Sequence, residues 1–177
     1  KIVDIIFTSG AVNGNFAGII LSNLAETIFF FNSKNGPNLN LLGTRQPEVY
    51  GRETLEKAEA ACVAHARAQG LEAVCLQSNH EGVLLDAIHA ARGTHSGIIL
   101  NAGAYTHTSI ALMDALFSVE IPAVEVHLSN IHAREEFRHR SFISRAVIGQ
   151  ICGFGTQGYL FAIDALAKHF EREAEPE

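Results

Sequence analysis

Short apolar runs alternate with longer amphipathic segments along the chain from about residue 27 onward. The candidate strands are 27–31, 72–76, 97–100, 123–127 and 146–151. The candidate helices are 53–69, 82–91, 108–117, 134–137 and 158–172. Strands that alternate with helices predict a parallel sheet with helices on both faces. The simplest arrangement has five strands in the order 2-1-3-4-5, a flavodoxin-like α/β sandwich of three layers.

The same pattern sets the domain boundaries. Residues 27–172 form one predicted catalytic domain, because the alternation is unbroken and no repeat or linker divides it. Residues 1–26 do not fit the scheme and are an unassigned N-terminal extension. Residues 173–177 form an acidic tail, for which we predict a frayed, solvated end.

Composition and charge narrow the class of protein. The formal net charge of -6 disfavours a nucleic-acid binder, which needs a basic surface. No apolar run is long enough to span a membrane, and we identify no secretion signal. The cysteines are Cys62, Cys75 and Cys152, an odd number without CxxC spacing. We therefore expect free thiols in a reducing cytoplasm and no disulfide.

Polar segments follow four of the predicted strands. They are NGPNLN at 35–40, QSNHEG at 77–82, NAGAYTHTS at 101–109 and EVHLSNIHAREEFR at 125–138. In an open α/β sheet, ligands bind beyond the carboxyl ends of the strands. The segments bring Asn, His, Ser and Arg to that edge, which indicates a site for a polyhydroxylated anion.

The segment GTRQPEVYG at 43–51 is long for a strand-to-helix connection, and such a loop is often a lid. It contains Arg45 and Tyr50. A positive charge nearby favours the phenolate, so Tyr50 is a candidate base if the loop folds over a substrate. Alternatively, Tyr50 packs at the end of a loop and Arg45 is solvated.

Two histidines, His107 and His127, lie in different strand-end segments. Either could act as a general acid, with Glu125 orienting a ring, or each could be structural. His132 and His139 lie nearby, but there is no HExxH helix and His139 has arginine neighbours. We expect no metal site. No P-loop occurs, and GFGTQG at 153–158 is weak for a dinucleotide site because it follows the last strand.

Five blocks together resemble the type II 3-dehydroquinate dehydratase family. They are NGPNLNLLGTRQPEVYG, QSNHEG, NAGAYTHTS, EVHLSNIHAREEFRHRS and GFGTQGY, in family order from Asn35 to Tyr159. The resemblance implies a lyase that converts 3-dehydroquinate to 3-dehydroshikimate through an enolate, without metal or other cofactor. It also implies a cytoplasmic homododecamer built from trimers, acting in the shikimate pathway or in quinate breakdown.

The resemblance assigns catalytic roles by position. Tyr50 matches the base that takes the C2 proton, and Arg45 matches the lid residue that keeps this tyrosine anionic. Asn38 matches a residue that stabilises the enolate through a bound water. His107 matches the general acid, and Glu125 matches the carboxylate that orients it.

The resemblance also assigns substrate-binding positions. Asn101, His127 and Arg138 match residues that bind substrate hydroxyls, and Leu128 and Ser129 match the pair that holds the substrate carboxylate. Asp114 matches a residue that reaches the substrate from a neighbouring subunit, and Arg134 matches a position near the lid.

Three features depart from the family pattern. Gln46 replaces the usual Glu after the lid arginine, and Ala104 follows Gly103. Asn32-Ser33-Lys34 separates the first apolar run from NGPN. Two other functions are possible: a non-catalytic flavodoxin-like sensor that keeps the pocket, and an enzyme acting on a related cyclic polyol acid. The presence of Arg45, Tyr50 and His107 favours the dehydratase.

Overall fold

The computed structural model describes residues 29–44 and 52–174. The strands are β1 (Phe29–Asn35), β2 (Leu71–Gln77), β3 (Gly97–Asn101), β4 (Ala123–His127) and β5 (Gly149–Cys152). The α-helices are α1 (Leu55–Ala68), α2 (Glu81–Ala90), α3 (Ile110–Val119) and α4 (Gln157–Ala174). Short 3-10 helices cover Leu39–Leu41, Gly103–His107, Ile131–Ala133, Glu136–Arg138 and Ile143–Ala146. None of the helices in these ranges is long and apolar enough to cross a membrane.

The strands form one parallel sheet in the order β2-β1-β3-β4-β5, which confirms the predicted flavodoxin-like topology. Alternate residues of each strand point to opposite faces. Ile99 and Val126 pack with Ile163 of α4 on one face. Ile98 and Leu100 pack with α2 and α3 on the other. The sheet is thus covered on both sides and presents functional groups only at its edges and strand ends.

Side-chain caps fix where two of the helices begin. The Thr54 hydroxyl accepts a hydrogen bond from the Lys57 amide at 3.4 Å at the start of α1. The Ser109 hydroxyl accepts one from the Leu112 amide at 2.9 Å at the start of α3. Such caps satisfy amides that lack a partner in the first turn of a helix. Ser109 thereby ties the start of α3 to the loop that follows β3.

The first strand differs from the prediction of 27–31, because it continues to Asn35. Asn32, Ser33 and Lys34 lie in the ladder, where Lys34 is opposite Leu76 of β2 and Leu100 of β3. A strand between two partners gains backbone hydrogen bonds on both edges, and here these outweigh the polarity of its side chains.

Other boundaries also shift. The predicted strand 146–151 begins at Gly149, and the predicted helix 134–137 is the 3-10 turn Glu136–Arg138. Helix α4 extends to Ala174, so the frayed tail predicted from residue 173 begins inside a helix. The extension 1–26 and residues 175–177 lie outside the described residues.

Lys34 is a buried lysine on β1, an interior strand of the sheet, with 3% of its surface exposed. By register its side chain shares a face with Leu76 and Leu100. Burial lowers the pKa of Lys34 from its usual 10.5 to about 8, although the nearby Cys75 thiol opposes the shift. The folded state therefore disfavours the ammonium form.

Replacing Lys34 with methionine should stabilise the fold, because the variant has no ammonium group to desolvate. A pKa lowered from 10.5 to about 8 corresponds to a gain of about 3 kcal/mol near neutral pH. The lowered pKa makes this penalty complete below about pH 8, and it disappears as pH rises towards 10.5, where the unfolded chain also loses the proton. Urea unfolding of both proteins across this range measures the difference.

The matched control is Lys168→Met, because Lys168 is an exposed lysine on α4 that pairs with Glu171. The Lys168→Met substitution should change the free energy of unfolding little at any pH. An advantage of Lys34→Met that persisted undiminished above pH 10.5 would contradict the assigned cause.

Candidate active site

The loops at the carboxyl ends of β1, β3 and β4 enclose a pocket. Seven of the residues predicted from the sequence line it: Asn38, Asn101, His107, His127, Leu128, Ser129 and Arg138. Arg134 and several apolar residues, among them Leu39, Leu42 and Ile131, complete the wall. Residues that lie far apart in the sequence are thus brought together by the parallel topology, as expected for an open α/β sheet.

The other predicted residues lie elsewhere. Glu125 is fully buried beneath the pocket. Asp114 is exposed on α3 and is not among the residues that line the pocket. Arg45 and Tyr50, the proposed lid arginine and base, lie outside the described residues, so their predicted roles remain predictions.

The loop that carries Asn38 is fixed despite the extended first strand. The Gly36 amide donates to the Asn101 carbonyl at 2.8 Å, and the Asn38 amide donates to Asn79 Oδ1 at 2.9 Å. A Cβ atom on Gly36 would lie 2.4 Å from the Ala102 carbonyl oxygen, so this close approach requires glycine. Asn38 has a φ of 66°, a left-handed conformation that asparagine tolerates. The loop therefore holds Asn38 at the pocket.

A buried carboxylate lies under the pocket and is saturated with hydrogen bonds. Glu125 Oε1 accepts from His127 Nε2 at 2.8 Å and from the Thr106 hydroxyl. The Ser141 hydroxyl lies 2.9 Å from both carboxylate oxygens, and Gln150 Nε2 donates to Oε2 at 3.0 Å. Burial disfavours the charged form, but these hydrogen bonds outweigh it and hold the pKa of Glu125 below its usual value. Glu125 is thus a fixed anion.

This geometry corrects the predicted pairing of Glu125 with His107. Glu125 bonds to His127, its neighbour on the same face of β4. His107 instead contacts the Arg140 carbonyl through Nδ1 at 2.8 Å. The two imidazole rings are stacked, with centroids 6.3 Å apart. The strand alternation explains the difference, because residues two apart on β4 point the same way.

Hydrogen-bond partners define which nitrogens of the two rings carry hydrogen. A carbonyl only accepts, so His107 Nδ1 carries hydrogen towards Arg140. Burial lowers the pKa of His107; the bond to Arg140 opposes this shift, and the charges of His127 and Arg138 reinforce it. Neutral His107 therefore offers Nε2 as an acceptor. The Glu125 carboxylate also only accepts, so His127 Nε2 carries hydrogen and Nδ1 remains for another contact.

Two arginines give the rim of the pocket a positive charge. Arg138 Nε donates to Glu135 Oε2 at 2.9 Å, and Arg134 Nε lies 3.4 Å from the same oxygen. Arg134 also donates to the Ser129 hydroxyl at 3.4 Å. Glu135 is half exposed, so these contacts are readily exchanged for an anionic ligand.

Several residues that hold the site were not predicted from the sequence: Asn79, Thr106, Ser141 and Gln150. Gln150 lies opposite Glu125 in the pairing of β4 with β5. The register between these two strands could therefore have identified Gln150 as a partner of Glu125. Ser141 reaches Glu125 from an irregular loop, and no periodicity in the sequence indicates that contact.

The described part of the chain contains no group of three or more His, Cys, Asp or Glu residues that could hold a metal ion. Cys62, Cys75 and Cys152 are free thiols. Burial raises the pKa of Cys62 and Cys75 to about 12 and that of Cys152 to about 11, so none is a reactive thiolate near neutral pH.

Comparisons with known proteins point to one family. Residues 31–167, more than half of the chain, match the family model described as Dehydroquinase class II. The chain is 70% identical over 139 residues to the 3-dehydroquinate dehydratase of Ruegeria pomeroyi, a match that covers 78% of this chain and 93% of that protein. It is 59% identical over 145 residues to that of Rhodopseudomonas palustris strain TIE-1, with 81% and 94% covered. The crystal structure of type II dehydroquinase from Butyrivibrio crossotus is 45% identical, with a TM-score of 0.77 and coverage of 78% and 97%.

Nitrogen NMR of the histidine side chains should find His107 as the neutral Nδ1–H tautomer at pH 7. Its pKa should lie below the usual 6.5, because burial and the neighbouring positive groups disfavour the charged ring. The His107→Asn variant assigns the signal by its disappearance. A His107 signal that titrates above pH 6.5 would contradict this assignment.

Proposed function

We propose that this chain, which belongs to the class II dehydroquinase family, removes water from 3-dehydroquinate to give 3-dehydroshikimate in the shikimate pathway. The observation that supports this most directly is the set of seven predicted residues around one pocket, above the fixed Glu125–His127 pair. That pair favours an enzyme over a passive sensor, because a buried carboxylate beside a histidine can assist proton transfer.

The pocket suits a cyclic polyol acid. In our proposal the backbone N–H groups of Leu128 and Ser129 bind the substrate carboxylate, and Arg134 and Arg138 add positive charge at the rim. Asn101, Arg138 and the free Nε2 of His107 bind substrate hydroxyls. Neutral His107 accepts a hydrogen bond there and leaves the ligand's charge unchanged.

The first chemical step is removal of the C2 proton by Tyr50 as phenolate, with Arg45 holding its charge. Loss of this proton gives an enolate, which Asn38 stabilises through a bound water. Tyr159 is unsuited to be the base, because burial raises its pKa well above the usual value and its hydroxyl is already bonded on two sides. No metal ion is needed in this scheme.

The second step is departure of the hydroxyl as water, which needs a proton donor. We assign this role to His127, whose Nε2 bonds to Glu125 while Nδ1 remains available. An ionised carboxylate fixes the ring's orientation and balances the positive charge of a doubly protonated imidazole. This reverses the roles that the sequence motifs suggested for His107 and His127.

We propose a cytoplasmic homododecamer of trimers in which Asp114 completes the site of a neighbouring subunit. Ile110 and Phe117, each 53% exposed, share a face of α3 with Asp114 by helical spacing. A second subunit over that face would cover both apolar side chains. The same reaction would also serve quinate breakdown.

Purified protein mixed with 3-dehydroquinate should develop the ultraviolet absorbance of the conjugated ketone product. The assay buffer contains a chelator, because the scheme needs no metal ion. Tyr50→Phe should reduce turnover by about 10²–10⁴-fold, because the ionisable oxygen that takes the proton is lost. Circular dichroism and thermal unfolding check that the variant is folded. Near-normal turnover by folded Tyr50→Phe would exclude Tyr50 as the base.

Two histidine variants separate the donor from the binding residue. His127→Asn should lower kcat by about 10²–10⁴-fold, because the leaving hydroxyl loses its proton source. His107→Asn should mainly raise KM, by about five- to tenfold, because one hydrogen bond to substrate is lost. His89→Asn, in the exposed last turn of α2, is the control and should match the wild type. The opposite pattern of kcat and KM would restore His107 as the donor.

A further inference from the structure

A buried hydrogen-bonded chain runs beneath the pocket on the face of the sheet covered by α4. Tyr159, in the first turn of α4, is 1% exposed. Its hydroxyl donates to Asn35 Oδ1 at 2.7 Å and accepts from Asn101 Nδ2 at 2.8 Å. Asn35 Nδ2 in turn donates to Glu59 Oε1 of α1 at 3.3 Å. The chain therefore links α1, β1, β3 and α4 through side chains alone.

The hydroxyl of Tyr159 has a defined direction. It has one hydrogen, which goes to Asn35, so its lone pair must receive the N–H of Asn101. Burial raises the pKa of Tyr159 well above its usual value, so the hydroxyl keeps this hydrogen. The rest of the ring packs in the apolar cluster around Ile163 and Leu166. A phenylalanine would fill that space equally well, so the oxygen has its own role.

That role concerns the side-chain amide of Asn101, which is part of the pocket wall. Asn101 Oδ1 accepts from the Gly103 amide at 3.3 Å, and one Nδ2 hydrogen goes to Tyr159. These two contacts determine the positions of Oδ1 and Nδ2, and the second Nδ2 hydrogen is available to a ligand. Asn101 lines the pocket, whereas Tyr159 and Asn35 do not. Without the tyrosine oxygen, only the 3.3 Å contact from the Gly103 amide would hold the Asn101 amide in this orientation.

We propose that Tyr159 is a positioning residue for substrate binding: its hydroxyl, held by Asn35, fixes the Asn101 amide so that an N–H donor faces the substrate. This inference rests on the proposed function, because it takes 3-dehydroquinate as the ligand of Asn101. It assigns a role to the tyrosine of the GFGTQGY motif. From the residues of this motif alone, only the spacing of the glycines had an interpretation.

A double-mutant cycle tests the proposal. Tyr159→Phe should raise KM for 3-dehydroquinate about fivefold and leave kcat nearly unchanged, because one substrate hydrogen bond is weakened. Asn101→Ala should raise KM at least as much. The double variant should match Asn101→Ala alone, because Tyr159 acts only through that amide.

A second cycle provides the control. Arg138 lines the pocket but makes no contact with Tyr159 among the described hydrogen bonds. The effects of Tyr159→Phe and Arg138→Ala on KM should therefore multiply. Thr94→Val removes a hydroxyl at the far end of α2 and should leave KM unchanged. Thermal unfolding of each variant separates a loss of fold from a loss of binding.

The outcomes are distinct. KM effects of Tyr159→Phe that multiply with those of Asn101→Ala, or an unchanged KM in either single variant, would overturn the positioning role. If Tyr159→Phe does not fold, Asn35→Leu removes the acceptor of the tyrosine hydroxyl without altering a pocket residue, and the same cycle is run with it. A wild-type protein without dehydratase activity would instead overturn the proposed function.

Discussion

The Glu125 carboxylate has no exposed surface, and a buried charge persists only where hydrogen bonds replace its lost water. Thr106, Ser141, Gln150 and His127 supply those bonds, each from a different part of the chain. The loops after β3 and β4 and the strand β5 are therefore held together by one anion. The position of His127 in the pocket follows from this requirement, because its ring is one of the donors.

The chemical role of each of the two histidines, His107 and His127, depends on its hydrogen-bond partner and not on the residue type. Both line the same pocket with stacked rings, yet one is bonded to a carbonyl and the other to a carboxylate. Burial disfavours charge on His107, and the bond to a neutral carbonyl only partly offsets this, whereas a fixed anion can balance a charge on His127. The pocket thus contains one ring suited to hold a hydroxyl and one suited to transfer a proton.

Most of the fold could be predicted from the sequence because apolar periodicity follows burial. The order of strands was predicted correctly, and the strand at 123–127 matches β4 at both ends. The predicted first strand ended too early, at residue 31, because periodicity reflects only the polarity of side chains. Asn32, Ser33 and Lys34 are instead held in the strand by backbone hydrogen bonds to both neighbouring strands. That seven of the predicted residues lie around one pocket could be anticipated because they follow strand ends. The bond between Glu125 and His127 could have been predicted from alternation along this strand, whereas the contacts from Thr106 and Ser141 could not, because they come from loops without periodicity.

The floor of the pocket also limits how this protein could change. Gly36 passes so close to Ala102 that position 36 has no room for any side chain, and the Asn38 loop is fastened to the neighbouring one by Asn79. Changes in substrate range are therefore more readily accommodated among the lining residues outside these loops, such as Ile131, Arg134 and Arg138. A mutant library designed to change the specificity of this enzyme towards another cyclic acid should vary these positions and leave the asparagine-rich loops unchanged.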